Sequence, residues 1–163
     1  MIRRIGPLAA AAITVAAVVV GAHAAFASAP QVPFRASLSG SVAMTSQTTV
    51  SFRGTGTATE LGHITNVGAI VFTGSDPSCP NAIANLNTET FTSNDGATLT
   101  IVSQDVACPT APGVVHGTGQ WHVTGGTGRF AGTTGGGAAD GGADFNVGTF
   151  TMNLTGTITP PHG

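Results

Sequence analysis

The chain has no lysine and no tyrosine, one tryptophan and two cysteines, and just 7% of its residues are charged. Each scarcity removes a class of function. Without lysine there is no phosphate-cradling loop of the Walker type. The basic residues after the N-terminal region are Arg35, Arg53 and Arg129, set against seven acidic residues. That balance gives no electrostatic footprint for nucleic acid or anionic lipid. The spacing of the two cysteines, Cys79 and Cys108, does not fit a four-ligand zinc site, and they form no C-x-x-C redox motif. No G-x-S-x-G elbow offers a serine nucleophile. No window after residue 27 reads as a capped amphipathic helix.

What is present begins with an export pattern. Arg3 and Arg4 form a basic head, Leu8 to Ala22 an apolar stretch, and A-x-A sites follow that end at Ala24, Ala27 and Ala29. Pro30 disfavours the last site, and cleavage after Ala27 is the preferred reading. The alternative is an uncleaved anchor, for which the run is short and alanine-rich. The expected organisation is therefore a signal peptide over 1–27 and a single domain over 28–163. Secretion is expected, with no membrane association after cleavage.

Period-two alternation dominates the domain. Phe34, Ala36, Leu38 and Val42 alternate with Arg35, Ser37, Ser39 and Ser41, while Phe150, Met152, Leu154 and Ile158 alternate with threonines and Asn153. Residues 61–73 are apolar on both phases, which suggests a bulge near Gly68 or burial on both faces. Residues 74–87 read as a long loop. Residues 135–142, rich in glycine, read as a weak strand or flap, a linker and an interior-facing strand being the alternatives. About eight short strands predict an all-β fold, a small closed antiparallel barrel, with a β-sandwich as runner-up.

In an exported chain the two cysteines are expected to form a disulfide. Asn94-Asp95-Gly96 is a strong hairpin turn, and Cys79 and Cys108 lie almost equally far from it along the chain. Both therefore belong near the open end of the same hairpin.

The segment 121–132 holds the most distinctive local pattern. A strand carrying Trp121 runs into Gly125, Gly126 and Gly128, followed by the isolated aromatic Phe130. Gly126-x-Gly128-x-x-Ala131 superficially matches a dinucleotide fingerprint, but glycine and threonine follow it where a helix is required. The glycines are instead expected to supply positive φ and close backbone approach, letting Phe130 plug a barrel end. Gly125-Gly126-Thr127-Gly128-Arg129-Phe130 resembles the G-G-T-G-x-F segment of dirigent proteins and of the allene oxide cyclase-like barrels. It is closer still to secreted actinobacterial proteins of that type, which also carry segments like Gly54-Thr-Gly56-Thr-Ala58-Thr59-Glu60-Leu61-Gly62. The resemblance implies an eight-stranded barrel with a central cavity, and dimers or trimers are compatible with it. It transfers no catalytic residue.

Few side chains suggest chemistry. Trp121 reads as core or, if the barrel holds a ligand, as its stacking surface, with Phe130 nearby. His63 and Glu60 sit close together near a strand end, and either is a candidate base if buried. His116, Gln120 and His122 share a strand face but spread too far to hold one ion. No metal or cofactor is expected. Two function classes stay open. One is a non-catalytic binding or structural barrel for a small apolar or mixed ligand. The alternative is an isomerase or cyclase that positions a reactive intermediate.

Overall fold

The computed structural model describes residues 30–159; the export segment read over 1–27 lies outside them. Eight strands follow one another: β1 (Val32–Met44), β2 (Thr49–Ala58), β3 (Gly62–Asp76), β4 (Ala82–Ser93), β5 (Thr98–Ala111), β6 (Val114–Gly126), β7 (Thr134–Asp144) and β8 (Thr149–Thr159). A single helical turn, Gly128–Phe130, interrupts the connection from β6 to β7. Every strand pairs antiparallel with its sequence neighbours, and β8 closes on β1 through a register running from Val32↔Ile158 to Ser41↔Thr149. The fold is therefore a closed barrel, not a sandwich. Closure leaves no unpaired sheet edge.

The alternation in the sequence becomes the inside and outside of this barrel. Phe34, Leu38, Val50, Phe91, Leu99, Ile101, Leu154 and Ile158 fill the interior. Arg35, Ser37, Ser39, Thr151 and Asn153 face out. Burying each large side chain contributes about 1.5–3 kcal/mol, so the inward phase of β1 and β8 alone sets the register strongly.

Antiparallel order puts the connections 59–61, 94–97 and 127–133 at one end of the barrel. Phe130 seals this end and is 2% exposed. Gly128 turns the chain with φ +59°, and a Cβ there would sit 3.0 Å from the Ala97 Cβ. Gly126 contributes differently. Its φ is not positive, but a Cβ would lie 2.3 Å from the Phe130 carbonyl oxygen, so the close approach itself needs glycine. The Arg129 guanidinium donates to the Asp95 carboxylate and, at 3.0 Å, to the Glu60 carbonyl oxygen. One side chain thereby ties the three connections together.

The opposite end carries the connections 45–48, 77–81, 112–113 and 145–148. Cys79, in the second of these, is bonded to Cys108 on β5, with Cα atoms 6.1 Å apart. The disulfide spans the open end of the β4–β5 hairpin, as its spacing from the Asn94 turn predicts.

Two local expectations are corrected, and a third is resolved between its alternatives. Residues 61–73 contain no bulge at Gly68 and are not buried on both faces. The register shift falls between Phe72 and Gly74, and Val67 and Val71 are 59% and 44% exposed. The loop expected over 74–87 is confined to 77–81, because β3 runs to Asp76 and β4 starts at Ala82. Asn85 and Asn87 disguise the strand by placing polar side chains on the inward phase. Of the readings of the glycine run 135–142, the strand is the one found, since the run forms most of β7 and is paired on both sides, and the flap and linker are not.

Candidate functional site

A cavity of about 100 Å3 lies inside the barrel toward the disulfide end. One side of it is apolar: Val42, Phe52, Ile70, Phe150 and Met152. The Phe52 and Phe150 rings meet edge-on with centroids 5.2 Å apart, which fixes that wall. The space exists because β6 and β7 present Gly117, Ala139, Gly141 and Ala143 to it instead of large side chains.

The other side is polar. β4 carries Asn85, Asn87 and Glu89 on its inward phase, leading to Phe91. β5 continues inward from Leu99 and Ile101 to Ser103 and Asp105, and β3 adds Asn66. Register places Asn85 opposite Asp105 and Asn87 opposite Ser103. Asn85, Asn87 and Asp105 line the cavity. Glu89 and Asn66 stand deeper, each 1% exposed.

The hydrogen bonds within this cluster leave it short of donors. Asn66 Nδ2 donates to Glu89 Oε2 at 2.6 Å, and Ser103 Oγ donates to Asp105 Oδ2 at 2.8 Å. Asn66 Oδ1, Asn87 Oδ1, Glu89 Oε1 and Asp105 Oδ1 are buried without a partner. Burial pushes the Glu89 carboxyl up to about 8, against the Asn66 hydrogen bond, and the Asp105 charge raises it further. Asp105 is also raised, again by burial, with the Ser103 hydrogen bond opposing. Asp105 lies over its cross-strand partner Gly119, where a Cβ would come within 2.0 Å of its Oδ1.

The residues singled out from sequence occupy other places. Trp121 is buried, 2% exposed, with its ring 5.2 Å from Phe34, and its Nε1 donates to the Ala138 and Thr155 carbonyl oxygens. It packs the interior and does not line the cavity. Phe130, Gly125, Gly126 and Gly128 build the sealed end. Glu60 sits in an exposed turn at φ 67°, engaged through its carbonyl and not its carboxylate. His63 is on the outer phase, because Ile64 beside it takes the inward one, and it borders a shallow surface depression with Thr57 and Asn94. Glu60 and His63 therefore do not face the cavity. His116, Gln120 and His122 are exposed, and His116 Nε2 lies 3.2 Å from Asp140 Oδ2.

Sequence reasoning passed over Asn66, Asn85, Asn87, Glu89, Ser103 and Asp105. A signal was available: the polar residues of β4 and β5 continue the phase of Phe91, Leu99 and Ile101. Among the described residues no group of three or more His, Cys, Asp or Glu side chains is placed to hold a metal ion. No protein-family model matches the chain, and no curated protein or solved structure matches it either.

Proposed function

We propose that the chain is an exported barrel of the allene oxide cyclase-like type that binds a small, partly apolar molecule in its interior. The observation that carries this reading is the two-sided cavity. An apolar wall meets a wall of buried acceptors with no partner, and such acceptors cost about 1–3 kcal/mol each until something donates to them. A barrel needed solely as a scaffold has no use for that arrangement.

Export is supported by the N-terminal pattern and the disulfide, which persists in oxidising compartments. The polar outer face and apolar interior are the inverse of a lipid-embedded barrel. Among the described residues no helix is long and apolar enough to cross a membrane.

An isomerase or cyclase is the second reading, favoured by Glu89, whose carboxyl exchanges its proton near neutral pH as a general acid or base does. Glu89 does not line the cavity, however, and a general base must come within hydrogen-bond reach of its substrate. Binding is therefore the preferred reading.

The test is a panel of small amphipathic molecules followed by methyl NMR of Met152, Ala139 and Ala143, which line the cavity. A binder shifts these methyls, and Ala139→Leu, which fills the space, abolishes the shift. A panel that leaves all three unmoved overturns the reading.

A further inference from the structure

We infer that the polar wall of the cavity is a site for a short alkylammonium ion, its –NH3+ taken by Asp105 and Asn87 and its alkyl body by Phe52, Phe150 and Met152. The inference rests on the proposed binding function and names the ligand's chemistry. Its first support is the one-sidedness of the unmet hydrogen bonding. All four unpartnered atoms of the interior cluster are oxygens: Asn66 Oδ1, Asn87 Oδ1, Glu89 Oε1 and Asp105 Oδ1. Asn87 is 4% exposed and lines the cavity with its Oδ1 free. Of the four, Asn87 Oδ1 and Asp105 Oδ1 belong to residues that line the cavity, and what completes these two is a group that donates to both.

The charge points the same way. Asp105 places a carboxyl group on the cavity wall, and among the described residues no basic side chain shares the interior with it. The chain has no lysine, and Arg35, Arg53 and Arg129 are all exposed. An ammonium group brings three donors and a positive charge with no lone pair to set against the oxygens. A hydroxyl brings one donor and two lone pairs, and a carboxylate only acceptors.

A bare metal ion fits less well. Hard divalent cations take six to eight oxygens arranged around them. Here the inward oxygens of Asn85, Asn87 and Asp105 occupy one side, and the other oxygen-bearing residues bordering the cavity, Asp140 and Thr151, are exposed on the outer phase beside the apolar wall of Phe52, Phe150 and Met152. That wall suits an apolar body attached to the cation. The cavity volume of about 100 Å3 restricts that body to a short chain.

The experiment is calorimetric titration of the purified exported chain with n-butylammonium chloride, 1-butanol, sodium butanoate and calcium chloride. The first three share one carbon skeleton and differ in the head group. Binding of n-butylammonium at least about tenfold tighter than 1-butanol, with no butanoate binding, is the expected result, since hydrogen bonds to charged groups are the stronger ones. Asp105→Asn is expected to erase the preference, with Trp121 fluorescence confirming the fold. The wild-type comparison stands without the variant should that variant fail to fold. Equal binding of 1-butanol and n-butylammonium overturns the inference and leaves the cavity-binding reading intact. Calcium binding without n-butylammonium binding overturns it in favour of a metal site. If none of the four binds, the inference fails, and the wider reading then stands or falls on the methyl NMR panel.

Discussion

Asn66 Nδ2 reaches Glu89 Oε2 across 2.6 Å, and the other carboxylate oxygen, Oε1, has no partner. A single neutral donor does not offset the desolvation of a carboxylate that is 1% exposed, and the carboxyl is pushed up to about 8. The Asp105 charge adds to the shift. In the unfolded chain the same group returns to its ordinary value of 4.5.

Stability is therefore expected to fall as pH rises between about 4.5 and 8. Within that window the folded state holds a proton that the unfolded state has lost. The contribution is fully present below the unfolded value, declines by up to about 1.4 kcal/mol per pH unit, and is gone above the folded value. Asp105, raised by burial, adds a trend of the same sign. Asp76 and Asp95 are lowered by hydrogen bonds from Ser78 and Ser93 and act oppositely, in acid. Urea denaturation at several pH values measures the slope. Glu89→Gln should flatten it, and an unchanged slope in that variant would show that Glu89 titrates normally.

The barrel was legible because most strands keep apolar residues on one phase, as β1 and β8 do without exception at Phe34, Leu38, Phe150 and Leu154. The sealed end was legible because Gly128 and Phe130 stand out locally. The polar wall was not. Asn85, Asn87, Glu89 and Asp105 lie on the phase that amphipathic patterning reserves for apolar side chains, so they resemble loop residues until the register is known. Glu60 and His63 misled for the converse reason. Proximity in sequence suggests a pair, but a turn with φ 67° and the strand's alternation send both outward.

Phe130→Ala is expected to cost about 3–5 kcal/mol, the range for removing a buried ring. Gly128→Val should cost at least about 1–2 kcal/mol, since a β-branched residue meets both the positive φ and Ala97. His116→Ala removes only an exposed contact with Asp140 and should stay within about 1 kcal/mol of wild type. Chemical denaturation midpoints rank the three. A small effect of Phe130→Ala would mean that the segment is a recognition loop and not a plug.

Reduction of Cys79–Cys108 is expected to destabilise the barrel by roughly 3–4 kcal/mol, because the bond closes a loop with a sequence separation of 29. Thiol labelling of denatured, unreduced protein should find no reactive cysteine. Two labelled thiols would mean the bond does not form in the exported protein.

Export itself has a mass signature. Protein from the culture medium should begin near Ser28, or near Ala25 if the upstream site is used. A cell-bound product retaining Met1 would instead identify the N-terminal stretch as an anchor.

Gly117 and Gly119, two residues apart on the same phase of β6, should respond in opposite ways to the same methyl group. At Gly119 a Cβ would lie 2.0 Å from Asp105 Oδ1 and 2.2 Å from the Gln104 carbonyl oxygen. The carboxylate can swing away, but the Gln104 backbone is held in the β5–β6 ladder, so the strands must separate locally. Overpacking of this kind costs about 1–3 kcal/mol. At Gly117 a Cβ would have the Val106 carbonyl oxygen as its nearest neighbour, at 3.7 Å, an ordinary contact. There alanine restricts the unfolded chain more than it disturbs the fold, and a gain of about 0.4–1 kcal/mol is expected. Gly119→Ala should also displace Asp105 and remove its preference for a cationic head group, while Gly117→Ala should reduce the affinity for all probes by shrinking the cavity it lines. Urea midpoints and the same calorimetric titrations separate the two effects. Matching stabilities for the two variants would mean that the Gln104 backbone does not press on Gly119, whereas a cationic preference kept intact in Gly119→Ala would mean that Asp105 does not rest on Gly119, and the placement of the carboxylate against the cavity would have to be abandoned.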